Sequence, residues 1–375
     1  MTIEKALLEL RRKDLTSKIV KEIKQFKRPK EKVRIMHVCG THEYTISRSG
    51  IRSLLPEWIE VIPGPGCPVC VCPAAYIDAA IQVGLENKDT IIASFGDMLK
   101  VPGTKLSLMN ARAKGLNLKL IYSPSEALQL AKETPSKNIM LLAVGFETTA
   151  PMVASQLLNN PPENFYILSA HRLIPPVMEY LLQREDIKID AFIPPGHVST
   201  IIGQKPFDKI ARKYKVPMVI AGFEPVDVLL AILMLLKMLE NGEHYCDNEY
   251  IRAVRYDGNL KAQEIIHGVF KEERAYWRGI GYVDASGLAL KDEFGENDAV
   301  KIYGIDIESL IKVEQKHIVK GCRCSDVILG KAYPTDCPLF GKACTPQRPV
   351  GPCMVSSEGT CSIWFKYGGR STRII

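Results

Sequence analysis

The sequence has no apolar run long enough to cross a membrane. Its most hydrophobic stretch, VDVLLAILMLLKML at 226–239, falls short of the roughly 18–20 apolar residues that a membrane helix needs, and it contains Asp227 and Lys237. Residues 1–26 form a charged amphipathic pattern without the apolar core and cleavage site of a signal peptide. We therefore expect a cytoplasmic protein in which 226–239 is a buried helix.

Other functional signals are also missing. No block of Lys and Arg is interleaved with aromatic residues, and the net charge of +7, from 49 basic and 42 acidic residues, is scattered, so nucleic-acid binding is not indicated. No G-x-G-x-x-G or P-loop motif occurs, which leaves a nucleotide site unsupported. The 375 residues are too many for one ordinary hydrophobic core, so we expect two or three domains.

The 11 cysteines are unevenly distributed. Four lie between residues 39 and 72, one lies at 246, and six lie between 322 and 361. Without a secretion signal a structural disulfide framework is not expected. Clustered cysteines in a reducing compartment more often bind metal or carry out redox chemistry.

Apolar, β-branched runs alternate with stretches of helical pattern between residues 33 and 241. The predicted strands lie in 33–40, 90–98, 118–124, 139–149, 165–172, 190–200 and 216–225. The predicted helices cover 1–29, 74–88, 125–133, 150–160, 174–184, 204–214 and 225–241. This alternation predicts an α/β fold with parallel sheets covered on both faces.

Polar residues follow the predicted strands in unusual turns. The turns read CGTHE, GFETTAP, SAHR, PPGHVST and GFEP. In parallel sheets, functional groups gather at the carboxyl ends of the strands, and His, Glu and Thr after glycine indicate a polar site built from several strand ends. After about residue 245 the sequence becomes irregular and rich in Cys, Gly and Pro, which predicts a separate module.

Six cysteines in this last module predict a metal or cluster site. Their spacing is C-x-C-x12-C-x6-C-x8-C-x7-C from 322 to 361. A [4Fe–4S] cluster takes four thiolates, which would leave two thiols over. Zinc is the alternative, but it usually takes two C-x2–4-C pairs, and structural disulfides are a further one. In the C-x-C pair the two side chains would point apart if the segment were a strand.

The N-terminal cysteines lie in Gly/Pro-rich turns. Cys67-Pro-Val-Cys70 is a C-x-x-C, a spacing that brings two sulfurs within disulfide reach, although two small buried core residues would read the same way. Cys39 ends a strand and opens a helix, whose N-terminus would stabilise a thiolate. His42 and Glu43 follow it and could shuttle protons or orient a ligand.

Together these motifs resemble the hydrogenase maturation factor HypD family over nearly the whole chain. The motifs are CGTHE at 39–43, GPGCPVC at 64–70, GFETTAP at 145–151, PGHVSTIIG at 195–203, GFEP at 222–225 and the six-cysteine tail. The resemblance implies two similar parallel-sheet α/β domains and a smaller irregular [4Fe–4S] domain. We place these domains at 1–118, 119–241 and 242–375.

The resemblance also implies a function. HypD-like proteins are scaffolds on which the Fe(CN)2CO unit of [NiFe]-hydrogenases is built, together with the small chaperone HypC and with HypE, which supplies cyanide. Carried onto this sequence, Cys39 is the ligand of the iron under assembly, and His42 and Glu43 surround that ligand. Cys67 and Cys70 are a thiol/disulfide pair near the iron. The protein would be a redox-active assembly scaffold more than a conventional turnover enzyme.

The C-terminal tail is similar to the catalytic subunit of ferredoxin:thioredoxin reductase. That likeness assigns the six cysteines to two roles: the cluster ligands would be Cys322, Cys337, Cys344 and Cys361, and the redox pair would be Cys324 and Cys353. Cys72 is expected to be a passenger and Cys246 structural.

Five further residues would line the crevice at the strand ends: Glu147, Thr148, Thr149, His197 and Ser199. The main alternative function is a [4Fe–4S]-dependent thiol-disulfide reductase acting on protein partners, which leaves CGTHE unexplained. A zinc-stapled interaction protein is a third.

Overall fold

The structure is a computed structural model that describes residues 13–317 and 319–368. The helix predicted over 1–29 is described from residue 13 onward, as Lys13–Gln25, and its first part lies outside the described residues. The predicted α/β class is confirmed, with two parallel sheets and a smaller C-terminal region that contains the six clustered cysteines.

The strands are short and begin mostly where the apolar runs begin. Their bounds are β1 Val33–His37, β2 Ile59–Pro63, β3 Thr90–Phe95, β4 Leu118–Ile121, β5 Asn138–Ala143, β6 Phe165–Ser169, β7 Ala191–Ile193, β8 Met218–Ile220, β9 Cys246–Asn248, β10 Phe270–Trp277 and β11 Gly281–Leu290. The predicted strands were too long, because the polar residues of each motif already form the following turn or helix. Strands β2, β9, β10 and β11 were not predicted.

Helices fill most of the segments between the strands. Their bounds are α1 Lys13–Gln25, α2 Gly40–Arg48, α3 Ile51–Leu54, α4 Pro68–Val71, α5 Ala74–Glu86, α6 Leu108–Arg112, α7 Pro124–Glu133, α8 Ala150–Leu158, α9 Ile174–Leu182, α10 Gly196–Ile202, α11 Lys205–Tyr214, α12 Pro225–Asn241, α13 Leu260–Val269, α14 Ala299–Ile302, α15 Ile307–Lys316, α16 Cys324–Ile328 and α17 Thr360–Tyr367. Single 3-10 turns cover Gly96–Lys100, Asp292–Asn297, Pro334–Asp336 and Pro352–Met354.

Two parallel sheets form the body of the molecule. The first, sheet A, has the order β2-β1-β7-β8-β9, and the second, sheet B, has the order β4-β3-β5-β6. Their central strands are buried on both faces; β5, for example, is buried from Ile139 to Ala143. Such doubly covered strands need continuous apolar sequence, which is why the runs lack a period of two.

The sheets divide the chain differently from the borders predicted at 118 and 241. Sheet A takes β1 and β2 from before residue 64 and β7 to β9 from after residue 190, whereas sheet B takes β3 to β6. Sheet A is therefore discontinuous in sequence, and sheet B is an insertion within it. Hydrogen bonds between distant strands, such as Ile35 of β1 beside Ala191 of β7, decide this arrangement.

The most apolar stretch is a buried helix, as predicted. Helix α12 starts with Pro225, has a capping box between Glu224 and Asp227, and ends at Gly242, whose φ of 66° is the left-handed conformation that glycine adopts without strain. Ten of its side chains are buried. No helix among the described residues is long and apolar enough to span a membrane.

The region after residue 245 has more regular structure than predicted. Strands β10 and β11 form an antiparallel hairpin with a register shift between Glu273 and Ala275. Arg172, which follows β6, is buried and donates to the carbonyl of Tyr276 from Nε and from Nη2, at 3.2 and 2.8 Å. These bonds fix the hairpin against sheet B and direct the chain toward the cysteine-rich end.

Candidate functional site

Four of the sequence motifs meet at the carboxyl end of sheet A. CGTHE follows β1, GPGCPVC follows β2, PGHVS follows β7 and GFEP follows β8, and these four strands are neighbours in the sheet. GFETT and SAHR follow β5 and β6 of sheet B. Within each sheet the parallel strand ends therefore gather the motifs, as expected. The motifs fall into two groups because the chain leaves sheet A after β2, forms sheet B and then returns to sheet A at β7.

Cys39 occupies the N-cap position of α2. Its backbone is extended, with φ of −155° and ψ of 129°, and its side chain is buried. The loop after β2 lies directly on it: Gly40 donates its N–H to the carbonyl of Gly66 at 3.1 Å, and Gly64 donates to the carbonyl of His37 at 2.8 Å. A Cβ atom on Gly66 would overlap the backbone of Cys39, so this position requires glycine.

Burial raises the pKa of the Cys39 thiol to about 11. The backbone N–H groups of His42 and Thr41 oppose that rise, because they face the sulfur from the first turn of α2. The carboxylate of Glu358, from the C-terminal region, adds to it. Cys39 is consequently a protonated thiol until a positive charge, such as a metal ion, binds to its sulfur.

His42 is fully buried and its tautomer follows from its partners. Nε2 lies 3.1 Å from the carbonyl oxygen of Ala221 and 3.0 Å from that of Gly222. Since both partners only accept, Nε2 carries the proton, and Nδ1, which has no hydrogen-bond partner, keeps its lone pair. Burial lowers the pKa of His42 to about 3, so the ring is neutral. It packs against Phe223, with ring centroids 5.0 Å apart.

Glu43 is the centre of a buried ion-pair network. Its carboxylate accepts two hydrogen bonds from Arg52, at 2.8 and 2.7 Å, one from Ser47 at 2.5 Å and one from the indole of Trp364 at 2.8 Å. It also contacts Nε2 of His37 at 2.8 Å. Burial by itself would raise the pKa of Glu43, but the charge of Arg52 and the hydrogen bonds from His37 and Arg52 hold it well below its usual value. These partners give Glu43 a structural role.

Cys67 and Cys70 form a disulfide, with Cα atoms 5.3 Å apart. The N–H of Cys70 also points to the Cys67 sulfur at 3.2 Å. The C-x-x-C spacing therefore indicated the pairing that the structure contains. A cavity of about 270 Å³ is lined by Cys70 together with Cys322 and Cys324 of the tail, so the disulfide and the C-x-C pair face one space.

The C-terminal thiols converge, because the C-x-C segment is not the strand in which its two side chains would have pointed apart. Residues 322 and 323 lie in a turn before α16 instead of a strand, and a Cβ on Gly351 would lie 2.5 Å from the Cys324 sulfur and 3.3 Å from that of Cys322. The Cys324 thiol is within hydrogen-bonding reach of Cys322, Cys353 and Cys361. Bonds from Cys324 and Cys361 hold the pKa of Cys353 well below its usual value.

The donor chemistry of this region fits an iron–sulfur cluster. The amide of Val350 points to the Cys344 sulfur at 3.4 Å, as amides do around cluster ligands. The amide of Cys361 points at 3.2 Å to the sulfur of Cys353, which belongs to the expected redox pair. Cys337 lies at the periphery, its sulfur 3.7 Å from the carbonyl of Gly321. Among the residues that the structure describes, no three His, Cys, Asp or Glu side chains surround a single metal-ion position.

The C-terminal region packs directly on the helix that begins after Cys39. Helix α17, which carries Cys361, lies against α2, and Trp364 reaches Glu43. Tyr367 stacks edge-on against Tyr44, with ring centroids 5.3 Å apart. The 3-10 turn Pro352–Met354 packs against α4, the helix between the disulfide cysteines. Cys39, the disulfide and the cysteine tail therefore form one continuous site.

The other predicted lining residues are distributed around this centre. His197 stacks on Phe223 with centroids 4.0 Å apart, on the same ring that contacts His42. Ser199 is buried and donates to the carbonyl of Pro195 at 2.9 Å, which makes it part of the α10 turn. The three predicted residues on sheet B are described next.

Glu147 is buried and accepts the N–H of Ile174 at 2.8 Å through Oε1, while Oε2 has no hydrogen-bond partner. Burial raises its pKa to about 8. Thr149 donates to the carbonyl of Phe146 at 3.2 Å, and Thr148 beside it is half-buried. These residues hold the GFETT turn and the start of α9 in place.

The two remaining cysteines are buried. The Cys72 sulfur donates to the carbonyl of Pro73 at 3.7 Å, and burial raises the pKa of this thiol to about 12. Cys246 lies on β9 and its sulfur contacts the carbonyl of Asp247 at 3.5 Å. Burial also raises the pKa of the Cys246 thiol well above its usual value, so both thiols lie protonated in packed core.

Sequence reasoning missed several residues at the site. His37 lies two residues before Cys39, so its side chain shares a face with that of Cys39, and this alternation was available in the sequence. Arg52, Trp364 and Glu358 carry no local signal, since each reaches the site from another element. Glu358 accepts a hydrogen bond from Thr41 at 3.4 Å.

Comparison with known proteins gives a consistent result. Residues 14–368 match the family described as HypD: Hydrogenase formation hypA family. The chain is 47% identical to a hydrogenase expression/formation protein of Methanocaldococcus jannaschii, over 96% of this chain and 99% of that protein. It is 40% identical to hydrogenase maturation factor HypD2 of Bradyrhizobium diazoefficiens, over 96% of each chain, and 38% identical to HypD of Cupriavidus necator, over 97% of each.

Proposed function

Because the chain belongs to the HypD family of hydrogenase maturation factors, we propose that it serves as the scaffold and electron source on which the Fe(CN)2CO group of a [NiFe]-hydrogenase is assembled. Iron is the substrate and Cys39 is its anchor. A HypC-like chaperone would supply a second thiolate, and a HypE-like protein would supply cyanide. Under this proposal the Fe(CN)2CO group is assembled in the cytoplasm.

One observation carries the assignment of Cys39. Its thiol lies at a strand end, beneath the loop that contains the Cys67–Cys70 disulfide and beside helix α17 of the tail. Low-spin iron with cyanide and carbonyl ligands is soft, and a thiolate is a suitable anchor for it. The N–H groups of Thr41 and His42 would stabilise the thiolate once iron has displaced its proton.

The two thiol sets suggest how electrons reach the site. Two thiols of the tail, Cys324 and Cys353, become a disulfide and release two electrons and two protons. The Cys67–Cys70 disulfide takes up both and becomes two thiols, so the exchange balances without another reactant. The shared cavity of about 270 Å³ supports this route, since Cys70 and Cys324 both line it.

A [4Fe–4S] cluster would be the resident cofactor of the tail, held by Cys322, Cys337, Cys344 and Cys361. When bound, it supplies one-electron chemistry beside the redox pair. The chain's own contribution is the placement of the thiols: the amide of Val350 points to the ligand Cys344, and the amide of Cys361 points to Cys353 of the redox pair. Cys337 tests this ligand set most sharply, because its sulfur is peripheral. Cys337→Ser should remove the cluster's visible absorbance. Unchanged absorbance would mean that Cys324 or Cys353, and not Cys337, is the fourth cluster ligand.

Infrared spectroscopy tests the scaffold directly. The protein is purified anaerobically with its HypC-like partner, beside the Cys39→Ala variant. Metal-bound cyanide and carbonyl bands are expected in the wild type and not in the variant. Cys246→Ala is the matched control, because it removes a buried thiol that belongs to none of the motifs and should retain the bands. Cyanide and carbonyl bands that persist in Cys39→Ala would refute the role of Cys39 as the iron ligand.

The second candidate is a [4Fe–4S]-dependent thiol-disulfide reductase acting on protein partners. The disulfide that faces the tail's thiols favours it. This function needs no iron ligand at Cys39, so Cys39→Ala would reduce a partner disulfide as fast as the wild type. Clusters in both proteins, with no cyanide bands in either, would support the reductase.

A further inference from the structure

Residues 353–361 form a tight loop whose two ends are cysteines, which we term the cysteine loop. The N–H of Cys361 points to the Cys353 sulfur at 3.2 Å, and the side chains are within hydrogen-bonding reach. Near the end of the loop, Gly359 donates to the carbonyl of Ser356 at 3.0 Å. A Cβ on Gly359 would overlap the carbonyl of Cys353, so the loop closes only with glycine there.

Glu358 of the cysteine loop packs against the first turn of α2, the helix that begins after Cys39. The Glu358 backbone and Cβ approach Gly40 so closely that a Cβ on Gly40 would lie 2.5 Å from the Glu358 Cβ and 2.6 Å from its carbonyl oxygen. The Glu358 carboxylate accepts a hydrogen bond from Thr41 at 3.4 Å, and most of the Glu358 side chain is buried.

A second contact fixes the loop to the other sheet. Ser356 donates its hydroxyl to Asp97 at 2.8 Å, and the N–H of Glu358 points back to the Ser356 oxygen at 3.2 Å. Asp97 follows β3 of sheet B, whereas Gly40 and Thr41 follow β1 of sheet A. The cysteine loop therefore joins the tail's thiols to the ends of both sheets, and Glu358 is the residue that faces the iron anchor.

We propose that Glu358 is a positioning residue that couples the redox state of Cys353 to the reactivity of Cys39. When Cys353 forms a disulfide with Cys324, two electrons and two protons pass to an acceptor disulfide, which is Cys67–Cys70 in the native chain or an added small-molecule disulfide. The Cys353 sulfur then leaves Cys361, the loop shifts, and Glu358 withdraws from Gly40 and Thr41. Cys39 is then more open to an incoming group. This inference rests on the proposed redox role of Cys324 and Cys353, but not on iron assembly at Cys39.

Alkylation of Cys39 by iodoacetamide measures the coupling. The protein carries Cys67→Ser and Cys70→Ser, so that only the tail changes redox state, and modification is located by mass spectrometry. The alkylation rates of the reduced and oxidised forms should differ at least about fivefold, the lower range of coupling between two sites. In the Cys324→Ser control, which cannot form the pair, the ratio should be close to one.

Three variants assign the effect to Glu358. Glu358→Ala removes the contact with Thr41 and should bring the ratio of the two alkylation rates close to one. Thr41→Val keeps the shape of the side chain but loses the hydroxyl, so it should reduce the ratio. Glu358→Gln still accepts from Thr41 and should preserve the ratio. Thermal unfolding of each variant checks that the fold persists, since a purely structural loss would lower stability without changing the ratio.

Three results would overturn the proposal: an unchanged ratio in Glu358→Ala, a lost ratio in Glu358→Gln, or equal rates for the two redox states of the parent. The infrared bands of the wild type are a separate readout. If the cyanide and carbonyl bands are present but the alkylation rate of Cys39 does not depend on the redox state, this inference is refuted and the scaffold function is not. If the rate depends on the redox state but no bands are present, only the scaffold function is refuted.

Discussion

The protein holds its cysteines in two different ways. Around Cys39 the close contacts are between main-chain atoms: Gly66 packs against the backbone nitrogen of Cys39, and Gly40 packs against Glu358. The buried ion pair between Glu43 and Arg52 stabilises the first turn of α2. In the tail, side chains lie near side chains: the Cys324 thiol is within hydrogen-bonding reach of three other thiols, and Gly351 leaves room for it. The first region is rigid through the main chain, and the second depends on side chains that can rotate.

The difference follows from the structure that surrounds each region. Strands β1 and β2 pair over five residues each and fix the loops that follow them. The tail has short helices and 3-10 turns, with a small apolar contribution of its own, and such modules commonly rely on a cofactor or cross-link for stability. We therefore expect substitutions near Cys39 to cost folding free energy and those in the tail to change chemistry first.

The largest expected effect is at Glu43. Glu43→Gln leaves the Arg52 charge buried without its partner and should lower the free energy of unfolding by about 3–5 kcal/mol. The measurement is urea denaturation, with Glu163→Gln on the surface as the control, for which little change is expected. The low pKa of Glu43 means that this contribution is constant at neutral pH and is lost only in strong acid, as pH falls through the folded-state pKa. A fully stable Glu43→Gln protein would contradict the structural role.

The next effect is at Gly66. Gly66→Ala places a Cβ against the backbone nitrogen of Cys39, where neither chain can move without breaking the pairing that follows β1 and β2, and should cost about 3 kcal/mol. Gly268→Ala is the control, because nothing lies within 4 Å of the added atom. That helical control should be neutral or slightly stabilising. Equal thermal stability of both variants would show that the loop is not rigid.

Gly351→Ala tests the tail in the same way. The added Cβ would lie 2.5 Å from the Cys324 sulfur, which is the free end of a side chain, so rotation relieves the overlap at about 1–2 kcal/mol. The displaced thiol should, however, slow formation of the Cys324–Cys353 disulfide, followed by mass spectrometry after titration with an oxidant. A cost as large as that of Gly66→Ala would remove the distinction between the two regions.

The most gradual effect is a pH dependence at Glu147, which is measured as a slope and not as a single change in stability. Burial raises its pKa from 4.5 to about 8, so the folded state retains a proton that the unfolded state releases. Stability from this group is complete below about pH 4.5 and decreases as pH rises toward 8, by up to about 1.4 kcal/mol per pH unit. Glu147→Gln should show a shallower decline than the wild type in denaturation between pH 5 and 8. Parallel profiles would indicate that Glu147 is ionised in the fold.

The motif residues of the site were predictable to the extent that their signals are local. Cys39 after a strand, the C-x-x-C disulfide and the buried helix α12 each depend on neighbours in sequence, and all three are present in the structure. The sequence left the direction of the C-x-C side chains open, and the irregular segment before α16 brings both sulfurs together. The contacts of Glu358 and Trp364 could not be anticipated, because they join residues more than 300 positions apart.

The sequence by itself determined the α/β class, the family and the positions of the clustered cysteines, because apolar periodicity and short motifs are properties of neighbouring residues. Only the tertiary structure decided that sheet A is discontinuous and which thiols of the tail touch. It also decided that the cysteine loop reaches the helix after Cys39. These are long-range contacts, set by hydrogen bonds between distant strands and by packing of α17 on α2, and no local pattern specifies them.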